Sequence, residues 1–288
     1  ALYMMIQLNS LPLESTAVLL NLSLLQSWVS PFPLSVNAPG WSLSVEAFFY
    51  LLFPLLLLVI RKSNIGPLKL LAVAFIFWLL TQTVHITVLN HYYGGYPSTS
   101  HDMIAYLPLS HLCSFLLGLA GAYCMQRCSF RVTSNIGAVF VLGLGLSLVY
   151  LALEMQLPLF YLLNVKLPYD ASFFAVIFLI LIWAGAICQA PIMRIFSFKP
   201  IVLMGEASYS LYILQVPIHL LYTNQIASRL SVSDSLNFYL YFTLLLSLSI
   251  CSFLLFERPT NHFLRYKLKG YLYDVPNKLK IVFSRTNT

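Results

Sequence analysis

The chain has 288 residues, 59% of them hydrophobic and only 9% charged, against the roughly 25% charged that is usual in a soluble domain. That composition excludes a water-soluble globule and specifies a protein solvated by lipid, whose backbone satisfies its own hydrogen bonds inside helices. A formal charge of +7 invites a nucleic-acid partner, but the cations sit in the connections between apolar segments, which excludes that partner too.

The opening "ALYMMIQLNSLPLE" has no basic n-region and no small-residue cleavage site, so it is not read as a signal peptide. It also does not begin with Met, and the expectation is a chain whose N-terminal part is missing. Apolar segments of span length then predict eight transmembrane helices over 16–30, 44–60, 69–89, 107–125, 135–153, 172–190, 201–226 and 236–256. All but two of the 16 Lys and Arg fall on alternate connections and in the tail, from Arg61, Lys62, Lys69, Arg127 and Arg131 to Lys278, Lys280 and Arg285. The exceptions are Lys166 and Arg229. Positive charge favours the inner face, so both chain ends are expected in the cytoplasm. The fold class is therefore an all-α polytopic transmembrane helix bundle, with a membrane domain over 1–256 and a basic tail over 257–288 held on anionic headgroups. The outer connections, 31–43, 90–106, 154–171 and 227–235, are rich in Tyr, Pro, Asn and Gly, which suits an interfacial belt or a sugar-binding rim.

Polar residues inside spans are the candidates for function. In "APGWSLSVEAFFYLLFPLLLLVI", Trp41, Ser42, Ser44, Glu46 and Tyr50 crowd one entrance, with Ser42, Glu46 and Tyr50 at i, i+4 and i+8 on one face. A first-turn carboxylate favoured by the helix macrodipole is the competing reading of Glu46. In "LMGEASYSLYILQVPIHLLY", Ser208, Tyr212, Gln215 and His219 make a polar stripe at helical spacing, and Pro217 is expected to kink the helix. Such a stripe must face protein or water, and helix-to-helix hydrogen bonding is its simpler use. In "FERPTNHF", Pro259 is expected to close the last span after Glu257 and Arg258, and Glu257 can pair with Arg258 or a loop Arg. His111, entering a span from outside, is the second-rank candidate for a buried imidazole. Cys113, Cys124, Cys128, Cys188 and Cys251 lack paired metal spacing and read as small buried hydrophobes, so no metal is expected. These residues leave an enzyme, a transporter of a small organic or acyl compound, and a noncatalytic scaffold all open.

Four stretches carry a resemblance. Residues 41–54 follow the pattern W-S-L-x-x-E-x-x-F-Y-x-x-x-P of the membrane-bound acyltransferase family 3, the O-acyltransferases of surface polysaccharides. "GEASYSLYILQVPI" resembles that family's G-x-x-S-Y-x-x-Y-x-x-x-x-P, which adds Tyr209 to the candidates. "FERP" and the F-x-x-G of "SFLLGLAGAY" are similar to two further family features, and the blocks stand in family order. The family has ten spans, so the resemblance implies a chain lacking its first two helices, and with them the family's catalytic His. It further implies that these residues alone are inactive. Two positions depart from the pattern: Gln215 stands where many relatives carry His, and His111 where an Arg is common.

What the resemblance implies is transfer of an acyl group, acetyl in the first instance, from cytoplasmic acyl-CoA to a hydroxyl of a glycan or lipid-linked sugar, in the cytoplasmic (inner) membrane. Acyl-CoA is a co-substrate, and no cofactor is bound. Glu46 and Glu257 are the expected catalytic carboxylates. Trp41, Ser42, Ser44 and Tyr50 would belong to the acceptor side and Arg258 to the donor side, with Ser208, Tyr209, Tyr212, Gln215 and His219 lining the passage between.

Overall fold

The computed structural model describes residues 15–127, 133–154, 162, 164–169, 172–189, 191–230 and 232–273. Residues 1–14, Cys128, Arg131, Lys278, Lys280 and Arg285 lie outside the described residues. Every regular element among those described is helical. The chain forms two compact units, Ala1–Ser197 and Phe198–Thr288. The first holds α1 (Ser15–Leu22), α2 (Trp41–Ser63), α3 (Pro67–His91), α4 (Thr99–Ala105), α5 (Pro108–Arg127), α6 (Asn135–Glu154) and α7 (Ala175–Ile187). The second holds α8 (Lys199–Glu206), α9 (Ser208–Gln225), α10 (Asp234–Ser252) and α11 (Arg258–Tyr273).

Among the described residues, four stretches are long and apolar enough to cross a membrane: Ala38–Ser63, Pro67–His91, Thr99–Arg127 and Asp234–Lys267. The pair α8 and α9 adds a fifth if the two are one broken span, while the apolar helices Asn135–Leu151 and Ala175–Ile187 are shorter. An all-helical polytopic membrane protein is what the composition demands, since only a helix or a closed barrel satisfies its backbone in hydrocarbon.

Four local expectations are corrected. The segment 16–30 is not one helix: α1 ends at Leu22, and Leu24 takes a left-handed backbone with φ 57°. Its polar side chains explain why, because the Asn21 amide and the Ser23 hydroxyl turn back onto the carbonyls of Ala17 and Leu19 and compete with helix propagation. The outer connection 90–106 contains α4, whose N-cap Ser98 accepts the His101 backbone N–H at 3.1 Å, with Asp102 in the first turn. The bend in the 201–226 segment, 58°, falls between Glu206 and Ser208, while α9 runs on through Pro217. Finally, Pro259 does not close the last span. A π-helical turn over Phe253–Glu257 precedes it, and α11 restarts at Arg258 with Pro259 in its first turn, where a missing N–H costs nothing.

The first unit packs on small residues, as membrane helices do when lipid gives no hydrophobic drive between them. Ala74 of α3 meets Leu117 and Ala120 of α5, and Leu179 of α7 closes this core. A Cβ at Gly121 would stand 2.5 Å from Leu179 Cδ1 and 3.3 Å from Trp183 Nε1, so α5 and α7 approach closely there.

Candidate functional site

The entrance at Trp41 is built by the segment that fails to be a helix. Gln26, buried, donates from Nε2 to the Gly40 carbonyl at 2.7 Å. The Ser27 hydroxyl donates to the Trp41 carbonyl at 2.8 Å, and the Ser44 hydroxyl donates back to the Leu24 carbonyl at 2.6 Å. These bonds clasp residues 24–27 around the start of α2. Ser44, 1% exposed, is therefore part of the clasp. Ser42 donates to the Pro39 carbonyl at 3.2 Å and closes the same turn.

Because α2 begins at Trp41, Glu46 stands in its second turn and no acidic residue lies in the first. The macrodipole stabilises charge only within that first turn, so it does not account for this carboxylate. Glu46 and Tyr50 are both exposed, and the Tyr50 hydroxyl donates to Glu46 Oε2 at 3.5 Å, a long bond. The basic residues Arg61 and Lys62 close the other end of α2, about 22 Å away along the axis at ~1.5 Å per residue.

Trp41 is fixed from the opposite side. Its ring lies 5.2 Å from that of His111 on α5 and 5.4 Å from that of Tyr106. His111 is buried, with Nε2 3.0 Å from the Ala105 carbonyl and Nδ1 3.4 Å from the Ser172 hydroxyl. A carbonyl only accepts, so Nε2 carries the proton in that bond. Ser172, held at φ 60°, also donates to the Ser114 hydroxyl, and its carbonyl accepts the Trp78 indole N–H at 2.8 Å. A chain of polar groups, buried at His111 and partly buried at Trp78, Ser114 and Ser172, thus links α3, α5 and the residues before α7 behind the Trp41 ring. Sequence reasoning singled out His111 but missed Ser172, Ser114, Gln26 and Ser27. They stand as isolated polar residues in apolar runs, and nothing in the local pattern pairs them.

The second unit holds its own carboxylate. Glu257, at the end of the π-helical turn, accepts a short hydrogen bond from the buried Ser210 hydroxyl, which also lies 3.1 Å from the Ser252 hydroxyl. Arg258, next in the chain, is exposed. The expected stripe on α9 is divided. The Gln215 carbonyl accepts the Tyr241 hydroxyl of α10 at 2.9 Å, and the His219 ring meets the Tyr241 ring edge-on at 5.2 Å. Tyr212 is half-buried, while Ser208 and Tyr209 are exposed. The packed face of α9 instead runs through Ser210, Ile218 and Tyr222.

Apolar helices, carboxylates set in them and a buried imidazole network behind an aromatic entrance define a helical integral membrane protein with a polar interior. The sequence places it further: the chain belongs to acyltransferase family 3, whose acyltransferase domain matches residues 1–258. The protein is an acyltransferase, as its sequence blocks imply. No curated protein and no solved structure matches it.

Proposed function

We propose that this protein is an O-acyltransferase of a cytoplasmic membrane, moving an acyl group, acetyl in the first instance, from acyl-CoA to a hydroxyl of a glycan or lipid-linked sugar. The observation that carries the reading is Glu46: an exposed carboxylate in the second turn of a span whose first residue, Trp41, packs on the His111 ring, in a chain of an acyltransferase family. Acyl transfer to a hydroxyl needs a group to take the hydroxyl proton as its oxygen attacks the thioester carbonyl. The thioester C–S bond then breaks, and the thiol leaves with a proton. In this reading Glu46 and Trp41 serve the acceptor, and Ser42, Ser44 and Tyr50 hold that entrance in shape. Glu257 and Arg258 serve the donor, with Glu257 oriented by Ser210. Tyr209, Tyr212, Gln215 and His219, with Ser208, line the substrate passage.

The test is incubation of the protein, expressed from its complete reading frame in lipid nanodiscs because these 288 residues alone are expected to be inactive, with acetyl-CoA labelled in the acetyl group and a glycan acceptor. A labelled, covalently modified glycan is expected. Flux of an unmodified solute with no labelled product would overturn the reading in favour of a transporter.

A further inference from the structure

Three separate stretches of the first unit close around a cavity of about 200 Å³. Leu89 and Tyr93 come from the end of α3, His101 and Ile104 from α4, and Leu167 and Tyr169 from the connection 164–169. These walls are tied down. Asn90 donates from Nδ2 to the Lys166 carbonyl at 3.0 Å and accepts the Lys166 N–H at 2.9 Å. α4 is capped by Ser98 and held by the Ser30 hydroxyl on Asp102.

The wall chemistry selects an occupant. The Tyr93 hydroxyl and His101 Nδ1 lie 2.8 Å apart, so a polar pair breaks an otherwise aromatic and aliphatic lining. The Lys166 ammonium lies 5.9 Å from the Tyr93 ring centroid, a cation over an aromatic face. Among the described residues, no carboxylate lines the cavity. Its volume falls below the roughly 300 Å³ at which drug-sized sites begin, so it admits one ring. Aromatic faces are negative and repel an anion, but they attract the polarised C–H bonds on one face of a sugar. A hydrocarbon ring would desolvate the phenol and imidazole without replacing their water. The cavity also adjoins the candidate site: Ala105 lines it and its carbonyl accepts from His111. The ring of Tyr106 stands between those of His101, at 5.5 Å, and Trp41, at 5.4 Å.

We infer that this cavity is a saccharide subsite, holding one neutral sugar ring of the acceptor next to the Trp41 entrance. The inference rests on the glycan-acceptor reading above and gives that acceptor a binding place. The probes are methyl glycosides of glucose, galactose, mannose and N-acetylglucosamine, with cyclohexanol as the apolar control, read by saturation-transfer NMR on the whole protein in nanodiscs without acyl-CoA. At least one glycoside should receive saturation mainly on the protons of one ring face, and cyclohexanol should not displace it. Tyr93→Leu and Tyr169→Leu should each weaken that binding roughly tenfold, the loss of one aromatic face. Absence of glycoside binding, displacement by cyclohexanol, or unchanged affinity in both folded variants would overturn the subsite. Thermal unfolding reports whether the variants fold; if neither does, competition on the wild-type protein decides. Acyl transfer to a glycan with no glycoside binding would reject the subsite and keep the enzyme. Glycoside binding that vanishes in the variants, without acyl transfer to any glycan, would keep the subsite and reject the glycan-acceptor reading.

Discussion

Glu46 and Ser44 are two residues apart on α2 in opposite environments, which Glu46→Gln and Ser44→Ala should separate. Glu46 is exposed, with one long bond from Tyr50. Its neutralisation breaks no close hydrogen bond, so thermal unfolding should change little. If it takes the acceptor proton, turnover should fall by about 10²- to 10⁴-fold, or ~2.7–5.4 kcal/mol of barrier. Ser44 is 1% exposed and donates at 2.6 Å to the carbonyl of Leu24, itself held in a left-handed backbone. Removing that hydroxyl strips the carbonyl of this donor inside the clasp and should cost about 1–3 kcal/mol. The assay pairs labelled acetyl transfer with thermal unfolding of the same nanodisc samples. Wild-type turnover in folded Glu46→Gln, or unchanged stability in Ser44→Ala, would refute the division of labour.

In the second unit, Glu257→Gln keeps an acceptor for Ser210 and should fold normally while losing acyl transfer. Ser210→Ala, which strips a hydrogen bond from a carboxylate, should destabilise by roughly 1–3 kcal/mol in thermal unfolding. Gly121→Ala should cost about 1–3 kcal/mol, because Leu179 must leave the core against Ala74 and Leu117. Gly118→Ala, with no atom within 4 Å of a new Cβ, should be neutral or gain up to ~1 kcal/mol from helix propensity, and thermal shifts of opposite sign would contradict this packing. Tyr169→Phe removes a buried hydroxyl that has no hydrogen-bond partner among the described residues, so unfolding should show no loss of stability. The phenols of Tyr96 and Tyr169 are pushed above the ordinary range, Tyr96 by burial and then by Asp102, Tyr169 by burial. The folded state then holds protons that the unfolded chain releases, so stability should fall as pH rises past about 10. Melts across that range should show a shallower fall in Tyr96→Phe, and an unaltered slope would argue against the shift.

The sequence by itself determined the solvent, the class and the family. An apolar composition allows only helices in lipid, and the motif blocks of α2, α9 and the Glu257–Pro259 turn read directly because each lies within a few turns of one segment. It also located Trp41, Glu46 and Glu257 as polar groups out of place in apolar runs. Only the tertiary structure decided what those groups touch. Ser44 looked like a companion of Glu46, yet its hydroxyl belongs to Leu24, twenty residues earlier. His111 gained its meaning from Trp41 on another helix and Ser172 on a third stretch. Pro259 looked like a stop, but the π-helical turn before it absorbed the missing donor and let the helix continue. The reason is the same each time: periodicity reports the face a residue occupies on its own helix, while a hydrogen bond between segments depends on how those segments pack. Hydroxyls and amides in lipid must find partners wherever packing brings them, and that choice is made between helices rather than along them.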